Sequence, residues 1–385
     1  MPARYLAGLV FLWGIVATFT AFVENFAALI ACRLLLGLFE SGLFPGVILY
    51  LSMFYNRRNV ALRNALFYGM SAISGAVGGL IAYGIGELDG AAGWRGWRWI
   101  ILINGIPTVL TAFAVLWILP NSPETASFLN EEERQASVII RDNEIGQTRS
   151  GQLLQKKDVK MALKDWKTFA FALAQFIGLS MLYSFSVFLP TIITGLDAGW
   201  SNQVVQALTV PVYFAGYSMY IFTSWYSDRI QQRGIFCIGG FAVSMIGYIF
   251  LIANQGFGLS FAGTFFVALG LWTSTGAAFT WIGVNCPRYG KRALASGLQI
   301  GLGNSAGVPA PFLYSSGDAP SYYAGYGATI GMLTLGIGIY TALHFWFRMA
   351  NKKKRDGKED YRMEGLGEEE IAELGEFNPR YMYTI

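Results

Sequence analysis

The chain holds 385 residues, of which 54% are hydrophobic, 16% aromatic and only 14% charged, with a net charge of +4. Soluble globular proteins carry about 25% charged residues, so this composition cannot dress a water-facing surface. A mean hydropathy of +0.42 agrees, and the class is a polytopic membrane protein. The three cysteines, Cys32, Cys237 and Cys286, lie far apart in or beside apolar runs, which excludes a cysteine zinc cluster and a disulfide scaffold. His344 is the single histidine, which leaves almost no room for histidine-rich metal sites or Ser-His-Asp triads. No metal and no cofactor is expected. The positive charge is dispersed and gives no case for nucleic acid.

The gaps between charged residues count the spans. Lys, Arg, Asp and Glu are absent from 5–23, 64–86, 99–123, 168–196, 198–227, 293–317 and 319–347. Each gap exceeds or matches the ~20 residues that cross a bilayer core as helix. The gap 234–287 is 54 residues long and holds two spans around a turn at Asn254-Gln255-Gly256. One further span, roughly 25–53, is interrupted only by Arg33 and Glu40. The runs are too long and too uniformly apolar for the strands of a barrel. The expected fold is all-α with ten spans, four before residue 120 and six after 167.

Orientation follows from Lys and Arg. With a cytosolic N-terminus, the inside loops hold Arg57, Arg58 and Arg63, then Arg229 and Arg233, then Arg288, Lys291 and Arg292, while outside loops hold only Arg95 and Arg98. Both termini are therefore expected in the cytosol. The domains read as 1–119, an incomplete first bundle of four spans; 120–167, a cytosolic connector; 168–349, a second bundle of six spans; and 350–385, a charged and mostly solvated tail. In the connector, Asn130 is a candidate cap for a polar helix opening at Glu131, broken by Gly151. Lys352-Lys353-Lys354-Arg355 reads as an inside anchor touching anionic lipid. The first apolar run is as long as a full span, so it reads as an uncleaved helix rather than a leader.

Arg33 is the basic residue well inside a span, and Glu40 is the acid so placed. Seven residues apart, they lie within ~20° of one helix face and about 10.5 Å along its axis. A charge in lipid costs at least ~2.5–3.5 kcal/mol, so each is expected to face an interior and be paired or solvated. Glu40 then takes and releases a proton, while Arg33 contacts an anion or tunes Glu40; the bland alternative is a structural pair between helices. Small residues at Gly42-Leu43-Phe44-Pro45-Gly46, Gly75-x3-Gly79 and Gly297-x3-Gly301 allow close helix approach. The stretch Gly301 to Gly307 has the wrong spacing for a dinucleotide loop.

In the second bundle, Trp281 and Asn285 share a helix face, as do Tyr183 and Ser186, whereas Gln299 and Asn304 lie ~140° apart on theirs. Rings and amides of this kind, Tyr183, Trp281, Asn285 and Asn304 foremost, would suit a small planar organic acid. Lipid-facing or interhelical contact is the alternative for each. Asp228, Arg229 and Arg233 lie in a short inside loop, where an acid followed by two bases can tie helix ends through charge-assisted bonds. Such bonds would make a gate latch.

That loop, Asp228-Arg229-x-x-x-Arg233-Gly234, resembles the cytosolic loop motif of the major facilitator superfamily, here in its second-half copy. Arg33-Leu34-Leu35-Leu36-Gly37 resembles the superfamily's fourth-helix motif, whose arginine is implicated in proton coupling. Longer strings are similar to fungal anion:cation symporters of the allantoate permease type, which include nicotinate transporters. They are Leu12 to Val16, Arg33 to Gly46, Gly96 to Ile100, Phe188 to Ile193, Gly290 to Ala293, Gly303-Asn304 and Tyr381. The resemblance covers essentially the whole chain. It implies proton-coupled import of a small organic anion (a vitamin, ureide or carboxylate) by a monomer in the plasma membrane.

Two departures accompany it. The fifth helix of the family, Ser71 to Gly86 here, carries no proline and so lacks the antiporter motif, which favours import. The superfamily has twelve spans in two sixes, and Trp13 belongs to the string of its third helix. An N-terminally truncated form with Met1 as an internal methionine, and a poor transporter, is therefore expected; a ten-helix variant or one completed by dimerisation is the alternative. A membrane enzyme would need a catalytic cluster of His, Asp or Cys in the spans, which the sequence lacks. A transporter-fold receptor or sensor remains the other functional alternative.

Overall fold

The computed structural model describes residues 2–56, 58–86, 88–142, 155–196, 199–253, 255–314 and 322–385. Arg57, Gly151 and Asn254, used above for orientation, the connector break and a turn, lie outside the described residues. Within them every element is helical, with no strand. The longer helices are α1 (Pro2–Phe19), α2 (Phe26–Ser41), α3 (Leu43–Phe54), α4 (Val60–Gly86), α5 (Gly96–Ile118), α6 (Glu131–Asp142) and α7 (Lys156–Lys164). They continue as α8 (Trp166–Leu196), α9 (Asn202–Ile230), α10 (Gly234–Ala253), α11 (Phe257–Val284), α12 (Tyr289–Asn304), α13 (Tyr323–Arg355) and the short α14 (Glu368–Glu373).

Among the described residues, 8 segments are long and apolar enough to cross a membrane, with α2 and α3 forming one of them. The two other expected spans are also helical. α4 runs 27 residues, but Tyr68, Gly69, Ser71, Ser74, Gly75 and Gly78 dilute its hydropathy. α12 stops after 16 residues and gives way to 3-10 turns at Ser305–Gly307 and Ala310–Phe312. The expected apolar run 293–317 is therefore not one regular helix. Gly301, Gly303 and Gly307 weaken it, and Pro309 and Pro311 offer no backbone N–H to continue it.

The chain divides into two compact units. The first comprises Met1–Asn56 and Val77–Arg141. Its centre is the α1–α5 crossing, where a Cβ added at Gly14 would lie 2.9 Å from the Val109 backbone nitrogen. Phe11 meets Phe113 edge-on at 5.7 Å beside that crossing. Asn130 caps α6 as expected: it accepts from the Glu133 N–H at 2.8 Å, and Glu133 accepts in return from the Asn130 N–H at 2.9 Å.

The second unit comprises Arg57–Ala76 and Asp142–Ile385. Its core joins Phe171, Trp281, Tyr340 and Phe347, with Phe171 and Trp281 edge-on at 5.0 Å. α10 and α11 approach to backbone contact, since a Cβ at Gly247 would lie 2.6 Å from the Gly263 carbonyl oxygen. Ser244 and Ser274 seal that seam by donating to the Val267 and Cys237 carbonyls at 3.1 and 2.7 Å. This unit takes in α7 and the C-terminal segment, so it is wider than the expected 168–349.

The tail corrects the sequence reading. Its outer half, including Lys358 and Glu368, is exposed, but Asn378, Tyr381, Tyr383 and Thr384 are buried. Charge density alone suggested solvation; the apolar rings and backbone amides between the charges dock instead. Lys354, expected at lipid, is buried and donates to the carbonyls of Glu376, Asn378 and Tyr381 at 2.6, 3.1 and 2.9 Å.

Candidate functional site

In the first unit, Arg33 and Glu40 lie on α2, which has no buried residue. Both side chains are exposed, and among the described residues neither makes an ion pair. Neither faces an interior and no pair is seen among the described residues, which leaves the solvated alternative of the expectation. The physical reason is local: α2 meets α1 and α3 along one edge, leaving Leu34 at 70% and Leu38 at 64% exposure on the remaining surface. Two ionisable groups therefore stand on a largely apolar helix with their charges uncommitted.

In the second unit the structure joins two of the four expected liners. The Tyr183 hydroxyl donates to Asn304 Oδ1 at 2.7 Å, bridging α8 and the end of α12, and the pair is exposed. Gly307 leaves the Tyr183 ring open, since a Cβ there would come no nearer than 3.9 Å. Ser186, one turn on, offers its carbonyl to the Tyr213 hydroxyl at 3.3 Å. Gln299 points the other way, buried and donating to Gln175 Oε1 and the Ala278 carbonyl at 3.3 and 3.2 Å. Of the Gln299 and Asn304 pair, only Asn304 is accessible, as their angular separation requires.

Trp281 and Asn285 do share one side of α11, but not as cavity liners. Trp281 Nε1 and Asn285 Nδ2 each donate to the Thr384 carbonyl at 2.9 Å, and the Thr384 N–H returns a bond to Asn285 Oδ1 at 2.8 Å. Both are buried, 0% and 3% exposed, beneath the C-terminal segment. Nothing in their spacing could have revealed this, because the partner lies about 100 residues away in sequence.

The Asp228 loop is tied to the start of α4. Asp228 accepts from the N–H groups of Ala61 and Leu62 at 3.2 and 2.9 Å, capping the start of α4, where the helix dipole favours an anion. Arg233, 1% exposed, donates to Asp228 Oδ1 at 3.0 Å. Arg229 instead lies over the Trp225 ring at 4.1 Å and pairs with no carboxylate among the described residues. Arg233 N and Gly234 N, at the start of α10, donate to the Ile385 carbonyl oxygen at 2.6 and 3.3 Å.

A further buried charge cluster escaped the sequence reading. Asp158 of α7, 0% exposed, accepts from Arg288 Nε at 2.6 Å. Lys291 bridges Asp165 at 2.6 Å and Glu376 at 2.8 Å, and Lys167 bridges the same two carboxylates at 3.1 and 3.6 Å. Burial opposes ionisation of Asp165, but the Lys167 and Lys291 ammonium groups outweigh it and hold its carboxyl below the usual range. Burial pushes the Cys286 thiol up to about 11 despite nearby Lys291, so it stays protonated and unreactive at neutral pH. The available signal was α7 itself, whose Asp158 and Ala162 sit opposite Lys157, Lys160 and Lys164. Among the described residues no group of three His, Cys, Asp or Glu could hold a metal ion.

Long apolar helices and a charged loop tied to the start of α4 suit a carrier, and comparison decides the family. The model of the Major Facilitator Superfamily matches residues 2–311. The chain belongs to the Major Facilitator Superfamily. An uncharacterized transporter of Schizosaccharomyces pombe is 34% identical over 383 residues, covering 100% of this chain and 75% of the relative. The high-affinity nicotinic acid transporter of Saccharomyces cerevisiae is 30% identical over 344 residues, 89% of this chain and 63% of its own length. Among solved structures, the proton:xylose symporter XylE bound to 6-bromo-6-deoxy-D-glucose superposes with a TM-score of 0.65 at 13% identity, over 89% of this chain and 79% of that one. That likeness establishes the fold of this facilitator. The protein is accordingly an integral membrane protein of a transporter family.

Proposed function

We propose that this facilitator imports a small organic anion together with a proton by alternating access. The observation that carries the reading is the Arg33 and Glu40 pair. They are two ionisable groups on one side of a membrane helix, exposed and free of ion pairs among the described residues. A charge kept on such a helix at a cost of ~2.5–3.5 kcal/mol is retained for function. Glu40 carries the proton; Arg33 attracts the anion and lowers the cost of the ionised Glu40. The hydrogen-bonded Tyr183 and Asn304 offer a ring and an amide to a planar carboxylate. Asp228, with Arg233 and the α4 amides, is the latch that alternation breaks and remakes, and Arg229 stands beside it on Trp225. Trp281 and Asn285 contribute only where the tail leaves them. The likeness to a nicotinic acid transporter supports a monocarboxylate among candidate cargoes. The excess of Lys and Arg in alternate loops supports cytosolic termini, and the chain is proposed to act as a monomer in the plasma membrane.

Uptake of labelled nicotinate, allantoate and pantothenate by permease-deficient yeast tests the proposal. Saturable uptake of one of them, abolished by a protonophore, is expected. Glu40→Gln should flatten the pH dependence of that uptake; an unaltered pH profile would remove Glu40 from the proton path. Binding of the anion without any uptake would favour the receptor reading instead.

A further inference from the structure

The transport reading leaves unused a cavity on the outer side of the buried charge cluster. It has a volume of about 510 Å³ and is lined by Lys157, Lys160 and Lys164 of α7, Trp166 and Lys167 opening α8, and Trp346 of α13, among others. The three- and four-residue spacing puts the α7 lysines on one helix face. All three are exposed, and none has an ion pair or hydrogen bond among the described residues. The opposite face of α7 buries Asp158 on Arg288, which fixes the lysine face outward. In total 7 cations line the cavity against 3 carboxylates, Asp165, Glu359 and Glu376. Two of those carboxylates are already committed to Lys167 and Lys291. The surplus is positive and lies on α7.

The rim is aromatic. Trp166 and Trp346 pack edge-on at 5.8 Å, with the Lys167 ammonium 4.4 Å above the Trp346 ring. From Trp166, 49% exposed, an apolar stripe continues along the same side of α8 through Phe169 (45%) and Leu173 (49%). Phe345 and Met349 extend the exposed apolar surface of α13. Tryptophan at the end of such a stripe marks the headgroup level of a bilayer. A soluble anion would use the lysines but not the stripe.

We infer that this cavity binds the headgroup of an anionic phospholipid, with its phosphate on Lys157, Lys160 and Lys164 and its acyl chains along Phe169 and Leu173. Basic pockets beside membrane helices take such headgroups. In the orientation proposed above, the site lies in the cytosolic leaflet, where anionic lipid resides. The occupant would tie α7 to α8 and α13 at the end of the unit that also holds the tail.

Native mass spectrometry of the detergent-purified full chain, titrated separately with phosphatidylserine, phosphatidylcholine and inorganic phosphate, tests the site without reference to transport. Phosphatidylserine should be retained well above phosphatidylcholine. The Lys157→Gln/Lys160→Gln/Lys164→Gln variant should bind phosphatidylserine about 100-fold more weakly, at about fivefold per lysine, with phosphatidylcholine unchanged. Lys358→Gln, altering an exposed tail lysine outside the cavity, should leave retention intact. If the triple variant melts early, Lys160→Gln alone should still show the fivefold loss. Equal retention of the two lipids, an undiminished triple variant, or equal loss in the Lys358 variant would overturn the site. Displacement of phosphatidylserine by millimolar inorganic phosphate would reassign it to free phosphate.

Discussion

α2 and α11 are both apolar helices of one chain, yet α11 buries 19 of its 28 residues and α2 none of its 16. The contrast extends to their polar groups. On α11, Ser274 and Thr275 donate to carbonyls and Trp281 and Asn285 hold the tail, so each is consumed by structure. On α2, Arg33 and Glu40 are consumed by nothing among the described residues. Buried, mutually satisfied polar groups stabilise one arrangement. Exposed, uncommitted charges are free to change partner, which a coupling site requires. On the proposed function, the two regions separate the work of holding the fold from the work of moving a proton.

The sharpest way to break this contrast is to remove one charge from α2 and one from the buried cluster of α7, which is held in the same way as the polar groups of α11. Asp158→Ala leaves Arg288, 2% exposed, without its carboxylate. Truncating one partner of a buried pair costs about 3–5 kcal/mol, so a large fall in the melting temperature in detergent is expected. Glu40→Gln removes an exposed group with no ion pair among the described residues and should shift stability by no more than ~0.5 kcal/mol, while uptake loses its pH dependence. Comparable melting losses in the two variants would end the comparison.

Glycine substitutions probe it at the backbone. In Gly247→Ala the new methyl would meet the Gly263 carbonyl oxygen and the Val267 nitrogen, each at 2.6 Å. Backbone cannot swing aside as a side chain does, so overpacking should cost about 1–3 kcal/mol. Gly37→Ala on α2 meets nothing within 4 Å. Alanine's helix preference should make that change neutral or stabilising by up to ~1 kcal/mol. Differential melting of the two variants measures both.

Why the sequence foretold some of this and not the rest has a physical reason. Spans were legible because a bilayer excludes charge over a fixed length, and that leaves gaps such as 168–196 and 319–347 in plain view. The separation of Gln299 from Asn304 was legible because helical geometry is local. The Tyr183 and Asn304 bond, the Asp228 cap on α4 and the grip of Asn285 on Thr384 join residues 121, 166 and 99 apart. Periodicity carries no information at such distances. Arg33 and Glu40 were found from their chemistry, but their exposure was not, since facing depends on which neighbours a helix meets. The end of α12 could have been read from Pro309 and Pro311.

The tail offers a finer test, because only part of it is held. Asn351 mimics a strand partner, donating to the Tyr383 carbonyl and accepting from the Tyr383 N–H, both at 2.8 Å. Asn351→Ala forfeits that two-point grip while Lys354 and Asn285 keep theirs. A loss of about 1–2 kcal/mol is expected, read as faster proteolysis after Tyr381 or Tyr383 with little change in global melting. If cleavage rates in the folded protein are unchanged, the grip contributes nothing to docking.

The smallest expected effect is that of mild acid, and its sign follows from Asp165. Against the opposing effect of burial, Lys167 and Lys291 hold its folded pKa below the ordinary carboxylate value of 3.8. A carboxylate depressed on folding contributes stability at every pH above its unfolded pKa, and the contribution is lost as pH falls through the folded one. Between pH 7 and about pH 5 the Asp165 contribution should therefore be constant, and only below 3.8 should it start to fade. Asp165 shares Lys291 with Glu376, so its protonation would free that lysine to bind Glu376 more tightly and blunt the release of the tail. Tail proteolysis followed from pH 7 down to pH 3 reads this directly in wild type and Asp165→Asn. The wild-type rate should stay flat until the last step, and the variant should be offset at neutral pH yet converge with wild type in acid. A rise in wild-type cleavage already near pH 5 would show that a group other than Asp165 governs the cluster.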